Sequence, residues 1–207
     1  MNFVLLALIA ANVIVSYKGF NDWSFFHKYE FHIGSIRAGE QLRMITSGFL
    51  HADWLHLAMN MYVLWIFAPT VIAHLGTAGF MIVYFASLIF GSLLTLVMHK
   101  NDFSYRAIGA SGAVTGVMYA SILIYPDSSI NFIPGWIFGI IYLLASIYGM
   151  RAKRDNIGHT AHFGGAVGGY VITLLKMPFL FTENTLIVIV LAVPIVILFI
   201  LDRAGKL

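Results

Sequence analysis

At 207 residues, with 60% hydrophobic and only 10% charged side chains and a mean hydropathy of +0.87, the chain has too little polar cover for a water-soluble domain. Its net charge of +3 comes from twelve Lys and Arg scattered between apolar runs, which argues against a nucleic-acid surface. The absence of cysteine excludes a disulfide framework, a cysteine nucleophile and a thiolate metal site. An all-α polytopic membrane protein remains, and its chemistry must use Ser, His, Asn, Tyr or a carboxylate.

Apolar runs at 2–17, 55–72, 78–98, 111–125, 132–150, 159–177 and 185–201 predict seven transmembrane helices. The first run also has the length of a signal peptide, but no Lys or Arg precedes it and no cleavage site is evident, so it is read as a retained span. The second and third are joined around Gly76, and the fourth and fifth turn at Pro126-Asp127, predicting two antiparallel hairpins. The long connection 18–54 carries Trp23, Phe25, Phe26, Tyr29 and Phe31 among charges. It suits a substructure in the headgroup layer, with most of those rings forming an interfacial belt. The seventh run has polar side chains only at its ends and is expected to face lipid.

With seven spans, the long first loop, the loop 99–106, the loop 151–156 and the C-terminus share one face, together with eleven of the twelve Lys and Arg. The positive-inside rule makes that face cytoplasmic. The fourth run is only fifteen residues, about 22 Å at 1.5 Å per residue, so a far end fixed at Pro126-Asp127 leaves Ser111 submerged below this face. Unwound backbone at that depth must be buried in protein or line a watery cavity, so a cavity is expected beside Ser111.

The remaining intramembrane polar groups fall at the same level. His56 and Asn60 occupy the first two turns of the second span, four residues apart on one side, and His162 lies about one turn into the sixth. Taken singly, each has a structural reading: interhelical hydrogen bonding for His56, Asn60 and His162, and close packing for the small residues Gly109 to Gly112. Four polar groups converging beside a submerged helix N-terminus point instead to a site.

None of the nine carboxylates falls in the middle of a predicted span, which excludes a paired-aspartate protease, and no His-Glu-x-x-His zinc signature is present; a metal site made of His51, His56 and His162 stays open but lacks the usual carboxylate. Ser111 is therefore the candidate nucleophile and His162 the candidate general base, a dyad without an orienting carboxylate. Oxyanion donors are at hand in the backbone N–H groups at Gly109 and Ser111, the Asn60 amide and the His56 ring, with the helix dipole adding positive potential. Gly112 and Gly116, facing Gly165 and Gly169 or Gly164 and Gly168, would let the fourth and sixth helices approach closely.

These residues resemble the rhomboid family of intramembrane serine proteases. The matching pieces are Gly109-Ala-Ser-Gly112, His56-x-x-x-Asn60 and Ala161-His162-x-x-Gly165-x-x-x-Gly169, with Leu42-Arg43-Met-Ile-Thr46-Ser-Gly-Phe49-Leu-His51 upstream. The resemblance implies a single membrane domain over 1–207, with a six-helix bundle at about 1–177 and an added seventh helix at about 185–201. It implies an endopeptidase using Ser111 and His162, with His56 and Asn60 helping the Ser111 amide bind the oxyanion, and with Arg43 and His51 structural. No cofactor or metal is implied. The implied partners are transmembrane helices entering past helix five, and the implied location is a bacterial inner membrane.

Two positions depart from the family pattern. Thr115 stands one turn after the serine, where the family often has an aromatic ring against the histidine, leaving Tyr119 or Phe163 to shape that ring's setting; Leu42 stands where tryptophan often precedes the loop arginine. The family orientation also places the first-loop face outside, against the charge count. A catalytically silent binder of transmembrane segments would be expected to lack Ser111 or His162, and a transporter using His51, His56, His74 and His162 is disfavoured because His74 lies at the opposite face.

Overall fold

The computed structural model describes residues 2–130, 132–152 and 158–206; most of the loop 151–156 lies outside the described residues. All seven apolar segments are helical. Helix α1 spans Phe3–Asn21 and is opened by Asn2, whose side-chain oxygen accepts from the Val4 and Leu5 amides. Helix α5, Trp54–Met98, is opened by Asp53 and contains both the second and third predicted spans. Helices α6 (Ser111–Ile124), α7 (Gly135–Ala152), α8 (His159–Lys176) and α10 (Thr185–Arg203) follow, with the single turn α9 at Leu180–Glu183. By length and composition α1, α5, α7 and α10 can cross a membrane, while α6 is apolar but shorter.

A straight helix of 45 residues would extend about 67 Å. Helix α5 instead folds back on itself at Gly76, whose φ of 69° and ψ of 172° leave the helical region. Both of its ends consequently reach one level: His56 lies against Gly109, and Gly91 lies against the Ala161 carbonyl. The Asn2 amide donates to Thr77 Oγ1 at 2.8 Å, placing the start of α1 beside this far turn.

The long connection is a folded substructure. It contains α2 (Trp23–Tyr29), strand β1 (Phe31–His32), α3 (Ile33–Arg37), α4 (Arg43–Thr46) and a 3-10 turn at Ser47–Phe49. Strand β1 pairs antiparallel with β2 (Arg106–Ala107), which ties this loop to the one entering α6. Trp23 is exposed as a belt residue should be, but Phe31 is buried with Ile33 and Ile36 in a small core of the loop's own. Glu30 is buried too; it accepts from Arg106 and contacts His27, while Arg43 donates to the His27 and Glu30 carbonyl oxygens. Arg43 thus holds the loop together, and Leu42 beside it is exposed.

Two features differ from the sequence reading. The fifth helix begins at Gly135 rather than at residue 132, because Pro134 disfavours helical backbone before it. The preceding residues form a two-strand hairpin, β3 (Ser129–Ile130) with β4 (Ile133–Pro134). Helix α10 does not simply face lipid: Leu191 packs against Gly139 of α7, and Tyr170 of α8 donates to the Val188 carbonyl. Val188, Leu191 and Leu198 are buried, while Leu186, Ile189 and Val196 remain exposed.

Helix α6 is the central column, buried at every position from Gly112 to Ile124. It lies against α8 almost backbone to backbone. A Cβ at Gly165 would run into the Gly112 carbonyl, and one at Gly169 into the Gly116 carbonyl. The second glycine row of α8 faces α5 instead: a Cβ at Gly164 would sit 2.5 Å from the Phe90 oxygen, and one at Gly168 2.8 Å from Ser87 Cα. One helix therefore carries two small faces at right phase for two neighbours.

Gly165→Ala is expected to destabilise the fold by about 1–3 kcal/mol through overpacking, read as a lowered thermal midpoint in detergent; an unchanged midpoint would show the α6–α8 contact to be looser. Helix α10 starts at the far end of the bundle and runs back, so its C-terminus shares the face of the first loop. A reporter fused after Leu207 is expected to read extracytoplasmic, and a cytoplasmic signal would show that the basic residues dictate orientation.

Candidate active site

Ser111 opens α6 after a turn shaped by Gly109, whose φ of +119° strongly favours glycine. The turn is pinned by two amides. Gly109 N–H donates to the Ser47 carbonyl at 3.0 Å, and Ala110 N–H donates to His51 Nε2 at 3.4 Å. Gly109's amide is therefore committed to the first loop, which removes it from the oxyanion donors expected from sequence; its part is to leave room. Ser111 and Gly112 come next, at the start of the helix, where amide N–H groups have no intrahelical acceptor.

The room left by Gly109 is occupied by His56. A Cβ on Gly109 would lie 3.0 Å from His56 Nε2 and 3.7 Å from Ser111 Oγ, so ring and hydroxyl flank the same point. His56 Nδ1 accepts from the Ala52 amide at 3.3 Å, which places the ring's own hydrogen on Nε2, at the point that Ser111 Oγ also flanks. Asn60 is buried one turn on and donates from Nδ2 to the His56 carbonyl at 2.9 Å, which orients its amide.

His162 is brought over the same face of α6 by a chain of side chains. Thr115 lies one turn after Ser111; its Oγ1 is 3.2 Å from the Tyr142 hydroxyl, which is 3.1 Å from His162 Nδ1. The Tyr142 and His162 rings stack with centroids 5.8 Å apart and planes at 29°. A cavity of about 30 Å³, room for a single water, touches Ser111, Gly109, Gly112 and Ala161, the residue before His162. The polar residues singled out in sequence thus gather around the N-terminus of α6.

The ring beside the histidine is not the one expected. Tyr119 donates its hydroxyl to the Gly139 carbonyl at 2.8 Å, and Phe163 is enclosed in the hydrophobic core. Tyr142 of α7 fills the place beside His162. No spacing in the sequence singles it out, because it reaches the site through helix packing across 20 residues rather than along one helix.

His51 sits just behind the turn, outside the spans, with both ring nitrogens engaged. Since Nε2 accepts from Ala110, Nδ1–H donates to Ser16 Oγ at 2.8 Å, and Ser16 passes its hydrogen to the Phe49 carbonyl at 2.9 Å. This chain joins α1 to the approach to Ser111 and uses the lone pair that a metal would need. Burial, and secondarily the nearby His56, lowers its pKa to about 3.

Residues 38–179 match the Rhomboid domain, more than two thirds of the chain. The chain is 26% identical over 185 residues to the RHOMBOID-like protein 12, mitochondrial, of Arabidopsis thaliana, covering 79% of this chain and 55% of that protein. It is 28% identical over 156 residues to the Rhomboid protein 1, mitochondrial, of Saccharomyces cerevisiae, covering 71% and 45%. It is 30% identical over 135 residues to the Rhomboid protease GluP of Bacillus subtilis, covering 65% and 26%. The matched stretches are therefore only about a quarter to just over half of these relatives' lengths.

The His51 contacts require a neutral ring. Its folded pKa lies below the unfolded value of 6.5, so the unfolded chain takes up a proton first as pH falls. Stability from this group is complete above about 6.5 and declines down to about 3, where the folded protein is protonated as well. Thermal midpoints measured between pH 7 and 4.5 should fall for the wild type and fall less for His51→Gln; parallel slopes would show that His51 does not carry the effect.

Proposed function

The chain belongs to the rhomboid family, and on that premise we propose that it is an intramembrane serine endopeptidase cleaving transmembrane segments of other membrane proteins, with Ser111 as nucleophile and His162 as general base. The observation that carries this reading is the common ground around Gly109: the Ser111 hydroxyl and the donor nitrogen of His56 flank it, at the end of the helix over which His162 is held. An intramembrane serine kept for packing alone would have no need of a hydrogen-bond donor aimed beside its hydroxyl.

In the first step, Ser111 Oγ bonds to the substrate carbonyl carbon as its proton passes to His162 Nε2. The carbonyl oxygen takes the negative charge. The Ser111 amide, His56 Nε2–H and the Asn60 amide are the donors assigned to it, with the α6 dipole adding to their potential. His162 then hands its proton to the leaving amine as the C–N bond breaks, giving an acyl-serine and the new N-terminus. A water attacks that ester with His162 again taking a proton, and the proton returns to Ser111 Oγ as the ester bond breaks. The cavity of about 30 Å³ that touches Ser111 has room for one such water.

The substrate class follows from placement. Residues that do the chemistry sit within an apolar bundle whose flanks, including Met59, Tyr62 and Trp65 of α5 and Ile141 and Tyr148 of α7, are exposed apolar surface. A segment able to lie against such flanks is itself apolar and helical, which fits the transmembrane segments of membrane proteins.

A serine-reactive fluorophosphonate should label the wild type and leave Ser111→Ala unlabelled; equal labelling would sink the assignment. With a model transmembrane substrate, His162→Ala should lower kcat by on the order of 10⁶-fold, to background. Asn60→Ala should retain cleavage, reduced roughly 10²- to 10³-fold. Normal cleavage by His162→Ala would mean that the base lies elsewhere.

A further inference from the structure

His162 Nδ1 meets the Tyr142 hydroxyl at 3.1 Å, while Glu30, the buried acid among the described residues, is tied to Arg106 in the first loop. We infer that the Tyr142 hydroxyl, contributed by α7 and directed by Thr115 of α6, fixes His162 in the tautomer that works. This rests on the reading of Ser111 and His162 as a dyad and adds a positioning residue to it.

The direction of the hydrogen bonds follows from the job. A base that takes the Ser111 proton at Nε2 must carry its own hydrogen at Nδ1. The Tyr142 oxygen, 3.1 Å from Nδ1, must then accept, and its own hydrogen must point elsewhere. Thr115 Oγ1 at 3.2 Å is the acceptor that takes it. Read in that order, the chain runs His162 Nδ1–H to Tyr142 Oη–H to Thr115 Oγ1. Thr115 is on the first turn after Ser111, so the residue that aims the tyrosine is rigidly connected to the nucleophile. Reversed, the chain would leave Nε2 carrying a hydrogen toward Ser111, unable to take another.

Two features of the surroundings support this use of the tyrosine. The ring is stacked on His162 at 29°, so the imidazole plane is held by contact as well as by the hydrogen bond. Helix α7 is itself set in place from both sides. Gly139 meets Ile122 and Tyr119 of α6 and Leu191 of α10, and Gly149 admits the His159 ring of α8. Tyr142 lies between these two glycines, one turn after Gly139. The seventh helix, which adds no reacting group, thereby bears on the position of the base.

Tyr142→Phe keeps the ring and removes the acceptor. It should lower kcat about tenfold with KM unchanged, the rate equivalent of one neutral hydrogen bond. Thr115→Val leaves the hydroxyl but frees its hydrogen to turn toward Nδ1, so it should lower kcat by no more than Tyr142→Phe, and the double variant should be no worse than Tyr142→Phe alone. The deciding signature is the tautomer. In protein labelled with ¹⁵N-histidine, with the His162 signals assigned by difference from His162→Ala, the wild type should show hydrogen on Nδ1 and both single variants a shift toward Nε2. Unchanged tautomer populations in either folded variant, or full kcat in Tyr142→Phe, would overturn the inference. Fluorophosphonate labelling that persists in Ser111→Ala would instead overturn the dyad beneath it.

Discussion

The approach of α6 to α8 is the constraint from which the site follows. Where two helices touch through glycine, their axes come closer than side-chain packing would permit, and polar groups on the two backbones' first turns are drawn to one place. Here Gly165 and Gly169 lie over the carbonyl oxygens of Gly112 and Gly116, four residues apart on each helix. The repeat keeps the contact in phase for more than a turn, so the helices cannot slide by one residue without driving a side chain into backbone. Ser111 and His162 stand at the upper end of this seam, and their register is set by it. Hydrophobic burial cannot do the same work, because lipid is as apolar as the helix faces and gives no preference for one register over another.

A second requirement is to hold unwound backbone at the head of a buried helix without orphaned polar groups. The first loop meets it. Ser47 accepts the Gly109 amide, and His51 accepts the Ala110 amide while bonding Ser16 of α1 through its other nitrogen. The β1–β2 ladder adds a further tie a few residues upstream. The loop therefore acts as a lid of hydrogen bonds fixed to α1. Its arginines serve the same end: Arg43 and Arg106 are bound to loop acceptors, and Arg37 reaches the Lys100 carbonyl and lies over the Phe103 ring. Basic residues engaged in this way are part of the loop's structure, which gives them a role independent of membrane orientation.

Segments, turns and the polar quartet were legible in sequence because each depends on local pattern. Apolar length gives the helices, and glycine with proline gives their ends. Four-residue spacing puts His56 with Asn60 and Gly165 with Gly169. The short fourth run pointed to a cavity beside Ser111, and a cavity does lie there. What was not legible depends on contacts between distant segments. Phe31 looked like a belt residue because its burial comes from a ladder with residues 106–107, far along the chain. The seventh helix looked uniformly apolar because packing on α7 uses the same residue types as contact with lipid. Gly109 counts as a donor in sequence because it lies at the start of the fourth helix, while the Ser47 carbonyl that takes its amide belongs to a distant segment.

Tyr142 illustrates the same limit at the site itself. A family pattern tied the histidine's neighbouring ring to the helix that carries Ser111, and Thr115 in that position left Tyr119 or Phe163 as the expected rings. The ring beside His162 comes instead from α7, with its hydroxyl 3.2 Å from Thr115 Oγ1. A tyrosine on the serine's own turn would be fixed relative to Ser111 by one helix. A tyrosine from α7 is fixed by the packing of three helices, α6, α8 and α10, so its hydrogen bond to His162 is only as constant as that packing. The orientation of His162, the proposed base, is thereby joined to the position of a helix on the flank of the bundle, a dependence that a ring on α6 would not create.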